Sequence, residues 1–265
     1  MLLVIDIGNT NITMGIYNQN KLIGTYRLTT KFQRTSDEYG FMLLSFLNAS
    51  SIHGNEIHDI IISSVVPKIN YSFTSSIKKY LHKNPIFIGP GVKTGIDIRI
   101  DNTSTLGADR LVDAAGAYYT YGGPCIVIDF GTATTYDVVT AKGEFIGGAT
   151  APGIGICAQA LSSQAAKLPE IEIRKPDKII AKNTIKSMQA GTFFGYIGQT
   201  EYMIKKIKEE YGQDMKVIST GGLGRMIARE TSYIDIYDAE LTFKGLKIIY
   251  EKTKKNLHIE KKTIE

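Results

Sequence analysis

The chain has 265 residues, 43% hydrophobic and 22% charged, with a formal net charge of +5. Two modest domains or one large one with true cores fit these values, and a disordered or fibrous chain does not. Much of the Lys lies between Lys244 and Lys262 but is mixed with Glu251, Glu260 and Glu265, so a solvated helix face and tail is expected and nucleic acid is not an expected partner.

Residues 2–7, 12–17 and 22–28 read as a three-strand meander. Thr35 and Glu38 form a capping box for a helix with Phe41, Leu44 and Leu47 on one face. Asp59 to Val66 reads as a strand stopped by Pro67, followed by a helix over about 69–82 and a short strand over 86–88. Gly107 leads into a helix with Asp109 and Arg110 in its first turn. A second strand–turn–strand segment fills 125–149, and Pro152-Gly153 opens a helix to about Lys167. Asn183 reads as the cap of a long helix, with Thr184 just inside. A strand at 216–219 runs into Gly221-Gly222, which lets a flat ring lie close to the backbone. The last helix is expected over 238–252, with Leu241, Gly245, Leu246 and Ile249 on one face, and a frayed tail from Lys254.

Cys125 and Cys157 read as reduced core residues. His53, His58, His82 and His258 lack metal-ligand spacing. The apolar start before Asp6 is too short for a signal peptide, and no apolar run is long enough to span a membrane. A cytoplasmic location is therefore expected.

The sequence repeats itself at long range. Val4-Ile5-Asp6-Ile7-Gly8 aligns without gaps on Val127-Ile128-Asp129-Phe130-Gly131, and Ile23-Gly24 on Ile146-Gly147. Each copy is a buried strand that ends in a carboxylate and opens into a turn rich in Gly, Thr and Asn. Taken singly, either copy is equally an Asp-Gly hairpin with no ligand. Two copies in register point to paired phosphate loops, whose N–H, hydroxyl and amide groups donate to phosphate oxygens. A carboxylate beside polyphosphate is a hard ligand for a cation.

Paired strand–Asp–Gly–hairpin repeats resemble the acetate and sugar kinase, heat-shock chaperone and actin superfamily. Asp6-Ile7-Gly8-Asn9-Thr10, Gly107-Ala108-Asp109-Arg110, Asp129-Phe130-Gly131-Thr132-Ala133-Thr134 and Gly221-Gly222 resemble, more narrowly, type III pantothenate kinases. The resemblance runs from residue 1 to about Tyr250. It implies an α/β fold of two related ribonuclease H-like (actin-like ATPase) domains, each a mixed β-sheet flanked by helices, with the active site in the cleft between them. The expected boundaries are 1–115, 116–255 and a polar tail over 256–265. The implied reaction is ATP-dependent phosphorylation of pantothenate, the first step of coenzyme A biosynthesis.

The same resemblance assigns roles. ATP is bound by Asp6, Ile7, Gly8, Asn9, Thr10, Asn11, Ile12 and Thr13, by Thr132 and Thr134, and by Gly221 and Gly222. Asp109 is the general base, and Gly107, Ala108, Asp109, Arg110 and Thr184 meet the substrate. Asp6 holds Mg²⁺ through water, and a monovalent cation, K⁺ or NH₄⁺, sits near Asp129. A homodimer is implied, as are pantothenate and ATP as small-molecule partners, with no nucleic acid or membrane. One departure concerns Ile100, which stands where the family usually has Tyr, and Thr103, which replaces a Pro. A sugar or acetate kinase of the same superfamily and a non-catalytic regulatory relative are the alternatives. The presence of Asp6, Asp109 and Asp129 together speaks against the second.

Overall fold

The computed structural model describes residues 1–264, with side chains described as far as Lys255. The polar tail expected over 256–265 lies outside those described side chains. In chain order the first elements are β1 (Leu2–Ile7), β2 (Asn11–Asn18), β3 (Lys21–Thr29), α1 (Ser36–Ala49), β4 (Asp59–Ser64), α2 (Pro67–Leu81), β5 (Ile86–Phe87), β6 (Asp97–Ile98) and α3 (Ala108–Tyr121). Then follow β7 (Cys125–Phe130), β8 (Ala133–Val139), β9 (Glu144–Pro152), α4 (Ile154–Gln164), α5 (Thr184–Tyr211), β10 (Lys216–Thr220), α6 (Gly224–Ala228), β11 (Ile236–Tyr237) and α7 (Leu241–Ile264).

The chain divides into two compact units. The first takes Met1–Ile96, Asn102–Tyr119 and the chain from Glu240 onward; the second takes Asp97–Asp101 and Thr120–Ala239. The last helix, read from sequence as part of the second domain, packs in the first.

In the first unit the sheet order is β3-β2-β1-β4-β5, with β1 antiparallel to β2 and parallel to β4. Leu3, Ile5, Ile7, Ile60 and Ile62 pack on one face with Tyr39, Leu43 and Leu47 of α1 and Phe73 and Ile77 of α2. Burying each such side chain contributes about 1.5–3 kcal/mol. The other face carries α7: a Cβ on Gly15 of β2 would meet Val4 at 3.1 Å and Phe243 at 3.2 Å. Helix α3 lies on α7 in turn, so closely that a Cβ on Gly116 would stand 2.7 Å from the Leu241 carbonyl oxygen and one on Gly245 would collide with that of Val112.

Two local expectations change. Pro67 does not merely stop the strand; it is the first residue of α2, where its fixed φ suits a helix and its missing N–H goes unneeded. Phe41 is 64% exposed and tilts against Tyr80. The buried row of α1 is Tyr39, Leu43 and Leu47, the i, i+4 spacing of one helix face. The capping box is present: Thr35 Oγ1 accepts from Glu38 N, and Glu38 Oε2 accepts from Thr35 N at 2.7 Å.

In the second unit the order is β11-β10-β7-β8-β9-β6. Read from β9, it is β9-β8-β7-β10-β11, with the same parallel and antiparallel pairings as the first sheet. The sequence repeat is thus a repeat of topology, and β6 is an addition to the edge. Its core includes Ile126, Ile128, Phe130, Tyr136, Phe193, Tyr196 and Val217. Cys125 and Cys157 are free thiols. Among the described residues no helix is long and apolar enough to cross a membrane.

Candidate active site

Strand β1 ends in the first Asp–Gly turn. Gly8 N donates to Asn11 O at 3.0 Å, and the end of β3 braces the turn from outside: Thr30 N donates to Thr10 O at 2.9 Å and Thr30 Oγ1 to Gly8 O at 2.7 Å. Asp6 Oδ2 would lie 3.9 Å from a Cβ on Gly8, so the carboxylate folds along the turn. Asn9 and Thr10 are exposed, and Gly8, Asn11 and Thr13 are half-buried. Ile7 and Ile12 are buried core residues, so only their backbone is available to a ligand.

The second turn is built alike. Gly131 N donates to Ala133 O at 3.2 Å, and Gly153 N, just past β9, donates to Thr132 O at 3.1 Å. Asp129 Oδ2 would stand 3.1 Å from a Cβ on Gly131, and its Oδ1 2.6 Å from one on Gly221. Gly at both positions therefore makes room for the carboxylate. Gly221 also has φ +93°, a conformation that favours glycine. Its carbonyl accepts from Tyr237 Oη at 3.0 Å, while a Cβ on Gly222 would meet nothing within 4 Å. Thr132 is exposed. Thr134 is not: it is fully buried, and its hydroxyl shares a hydrogen bond with Tyr196 Oη. Tyr196 Oη also donates to Pro152 O at 3.3 Å, and burial pushes its pKa up to about 12. Thr134 thus ties the turn to α5. Nothing in the spacing of the sequence marks Tyr196 or Tyr237 as a partner of these loops.

Asp109 stands in the first turn of α3, where Arg110 N donates to its Oδ1 at 2.8 Å. The carboxylate folds back over Gly107 so closely that a side chain there would collide with Oδ1; the same Cβ would lie 3.6 Å from Val65 Cγ1. The Gly107 turn thus rests against the segment that follows β4. Burial pushes the Asp109 carboxyl above its ordinary value, and the Arg110 N–H and guanidinium pull the other way. Ala108 and Arg110 are half-buried beside it. In the second unit Asn183 caps α5, its Oδ1 accepting from Lys186 N at 2.9 Å. Thr184 begins that helix and lines a cavity of about 600 Å³ with Lys182, Ser187, Met188 and Thr192. Ile100 follows β6 and is half-buried.

Asp6, Gly107 and Asp109 thus belong to the first unit, and Asp129, Thr132, Thr184, Gly221 and Gly222 to the second. Among the described residues no group of three or more His, Cys, Asp or Glu is placed to hold a metal ion. Carboxylates beside turn carbonyls suit cations that arrive with an oxygen-rich ligand such as polyphosphate.

Two copies of one sheet, each with a carboxylate–glycine turn at the end of its first strand, define an actin-like fold of the nucleotide-dependent kinase type. At low identity, solved structures share it. A Baf family protein from Campylobacter jejuni is 21% identical, covers 94% of this chain and 98% of its own, and has a TM-score of 0.57. MreB 5 of Spiroplasma citri, bound to AMPPNP, is 11% identical over 98% of each chain, with a TM-score of 0.50. The family model for type III pantothenate kinase matches residues 2–206. A type III pantothenate kinase of Agathobacter rectalis is 54% identical over 95% of this chain and 97% of its own. That of Bifidobacterium adolescentis is 48% identical over 95% and 98%. The chain belongs to the type III pantothenate kinase family.

Proposed function

We propose that the protein transfers the γ-phosphoryl group of ATP to the primary hydroxyl of pantothenate, giving 4′-phosphopantothenate and ADP. In this reading the hydroxyl oxygen forms the new bond to phosphorus as the bond to the β-phosphate oxygen breaks, and the hydroxyl proton passes to Asp109. The observation that carries it is the Asp109 carboxylate, half-buried, raised in pKa and held by Arg110 N at 2.8 Å in a chain of this family. A base poised above the ordinary carboxylate range accepts a proton more readily in the transition state. Gly107, Ala108, Arg110 and Thr184 position the substrate. The N–H groups and polar side chains from Asp6 to Thr13 hold phosphates from the first unit, with Ile7 and Ile12 acting through backbone alone. In the second unit Thr132 is the phosphate donor of its loop, and Gly221-Gly222 are the adenosine motif. Thr134 acts by anchoring its turn rather than by direct contact.

Asp6 is the residue for Mg²⁺, through water; that ion supplies neutralisation of phosphate charge. Asp129 is the residue for K⁺ or NH₄⁺, and its oxygens at the Gly131 and Gly221 turns fit a cation with loosely placed oxygen ligands. Most of the acceleration then comes from positioning and electrostatics, since phosphoryl transfer leaves little covalent work for protein. A homodimer is supported by Ile156 and Leu161 on α4 and Ile185 on α5, all exposed large apolar side chains. The test is a coupled ADP-release assay of the purified protein with ATP, Mg²⁺ and K⁺, offered pantothenate, acetate and several sugars in turn. Turnover with pantothenate alone is expected; turnover only with acetate or a sugar overturns the reading.

A further inference from the structure

Strand β4 reads Asp59-Ile60-Ile61-Ile62-Ser63-Ser64. Its second serine is accounted for: Ser64 Oγ donates to Asn70 Oδ1 at 2.6 Å and accepts from Val66 N at 3.2 Å. Ser63 is different. It is 0% exposed, and its Oγ makes no hydrogen bond to any described residue. A buried hydroxyl without a partner is destabilising, and a strand of isoleucines gives no packing reason for one.

Its position gives another reason. In the parallel ladder between β1 and β4, Ser63 is the register partner of Asp6, and register partners on adjacent strands point to the same face of a sheet. That face is the one bearing α7 and α3, because Val4, two residues before Asp6, lies against Phe243 around Gly15. Two residues beyond Ser63, Val65 N donates to Ile7 O at 3.0 Å, and Val65 lies against the Gly107–Asp109 turn. Ser63 therefore stands beside Asp6 on the strand that leads to the Asp109 turn.

The second unit repeats the arrangement. In the ladder between β7 and β10, Thr220 is the register partner of Asp129. Each loop carboxylate has a hydroxyl side chain beside it near the end of the neighbouring parallel strand. In that register Ile60-Ile61-Ile62-Ser63 corresponds to Val217-Ile218-Ser219-Thr220, so the apolar strand and its hydroxyl residue recur together.

We infer that Ser63 is a binding residue for the magnesium–polyphosphate group: its hydroxyl is satisfied by a phosphate oxygen or a metal-bound water held at Asp6. The inference rests on the reading of Asp6 as the carboxylate on the phosphate side. It separates binding from stability, because removing a hydroxyl that has no protein partner does not weaken the fold, whereas removing a ligand contact weakens binding.

The experiment compares wild type, Ser63→Ala, Ser63→Cys and Asp6→Asn by thermal melting, with and without MgADP, and by steady-state kinetics. For Ser63→Ala the ligand-free Tm is expected to be unchanged or higher. The rise in Tm on adding MgADP shrinks, and KM for MgATP increases roughly ten- to a hundredfold, the loss of a hydrogen bond to a charged group. KM for pantothenate changes little, and Ser63→Cys, a weaker donor of similar size, falls between. A lower ligand-free Tm for Ser63→Ala, or failure to fold, overturns the inference by making the hydroxyl structural. So does an unchanged MgADP shift with an unchanged KM for MgATP. If Asp6→Asn also binds MgADP normally, the reading of the loop fails as well; if only Ser63→Ala is normal, that reading stands and the inference alone is lost.

Discussion

At Asp109 the charged form is held against its environment. Burial raises the carboxyl above its ordinary 3.8, against the pull of Arg110. The native chain therefore binds that proton more firmly than the unfolded chain does. Stability from this group is present in full below the ordinary value and is lost as pH rises through the raised one. The base role needs the ionised form, so turnover rises with pH across the same window. Asp109→Asn keeps the shape and cannot ionise. We expect its Tm to match wild type near pH 4 and to equal or exceed it near pH 8, since the penalty for a buried charge is gone. Turnover should fall roughly a hundredfold to ten-thousandfold, the usual worth of a general base, with ADP binding retained. Melting curves and initial rates from about pH 4 to about pH 8 check both; full turnover by the variant would remove the base assignment. Tyr196 makes a second case. Tyr196→Phe leaves the buried Thr134 hydroxyl without this partner and should destabilise by about 1–3 kcal/mol. Because Thr134 and Pro152 flank the second turn, KM for MgATP should rise more than KM for pantothenate. Equal changes in both, measured by varying each substrate in turn, would make Tyr196 a core residue only.

Helices and strands were readable wherever a local rule decided them. The capping box at Thr35 and Glu38, the Asn183 cap and the two Asp–Gly turns are each fixed within a few residues of sequence, and the structure has all of them. What could not be read depends on partners far away in the chain. Phe41 has the right residue type for the core, but its position on α1 puts it outward, because α2 and β1 take the Tyr39–Leu43–Leu47 row. The return of α7 to the first unit is of the same kind: its apolar face was legible, its partner was not. Its partners are the first sheet and α3, and the contact with α3 is close because both sides are glycine. Gly245→Ala would drive a methyl group into the Val112 carbonyl, and Gly116 faces the Leu241 carbonyl. Alanine is the better helix former, so an isolated α7 would gain from the change. In the folded protein overpacking should prevail, with a loss of about 1–3 kcal/mol, and kcat should fall because α3 carries Asp109. A Tm at or above wild type would mean that α3 and α7 separate more easily than this packing implies.

Across the molecule, duplication puts a carboxylate at the end of the first strand in each unit, and the two residues have different surroundings. Asp6 lies along its own turn, whereas Asp129 is enclosed by two glycine turns, with Oδ1 towards Gly221 and Oδ2 towards Gly131. The second environment is lined by carbonyls as well: the Phe130 carbonyl lies 2.6 Å from the Cβ position of Gly221, and the Gly131 and Thr132 carbonyls lie close to that of Gly153. A polyphosphate brought to such a carboxylate adds like charge, and the repulsion at short range is on the order of several kcal/mol unless cations intervene. On the proposed reading one divalent ion serves Asp6 and the phosphates, and a monovalent cation is assigned to Asp129. Potassium and ammonium accept many oxygens at loose distances, which suits a carboxylate among carbonyls better than the strict octahedron of Mg²⁺. Initial rates should therefore be low with Mg²⁺ in sodium or Tris buffers and should climb as K⁺ or NH₄⁺ is added. Asp129→Asn should blunt that climb while leaving the dependence on Mg²⁺ in place. Ionic strength has to be fixed with a bulky organic cation, because screening alone alters phosphate binding. A flat wild-type rate across the potassium titration would remove the cation from Asp129, and with it the charge-balance reason for a carboxylate in the second turn.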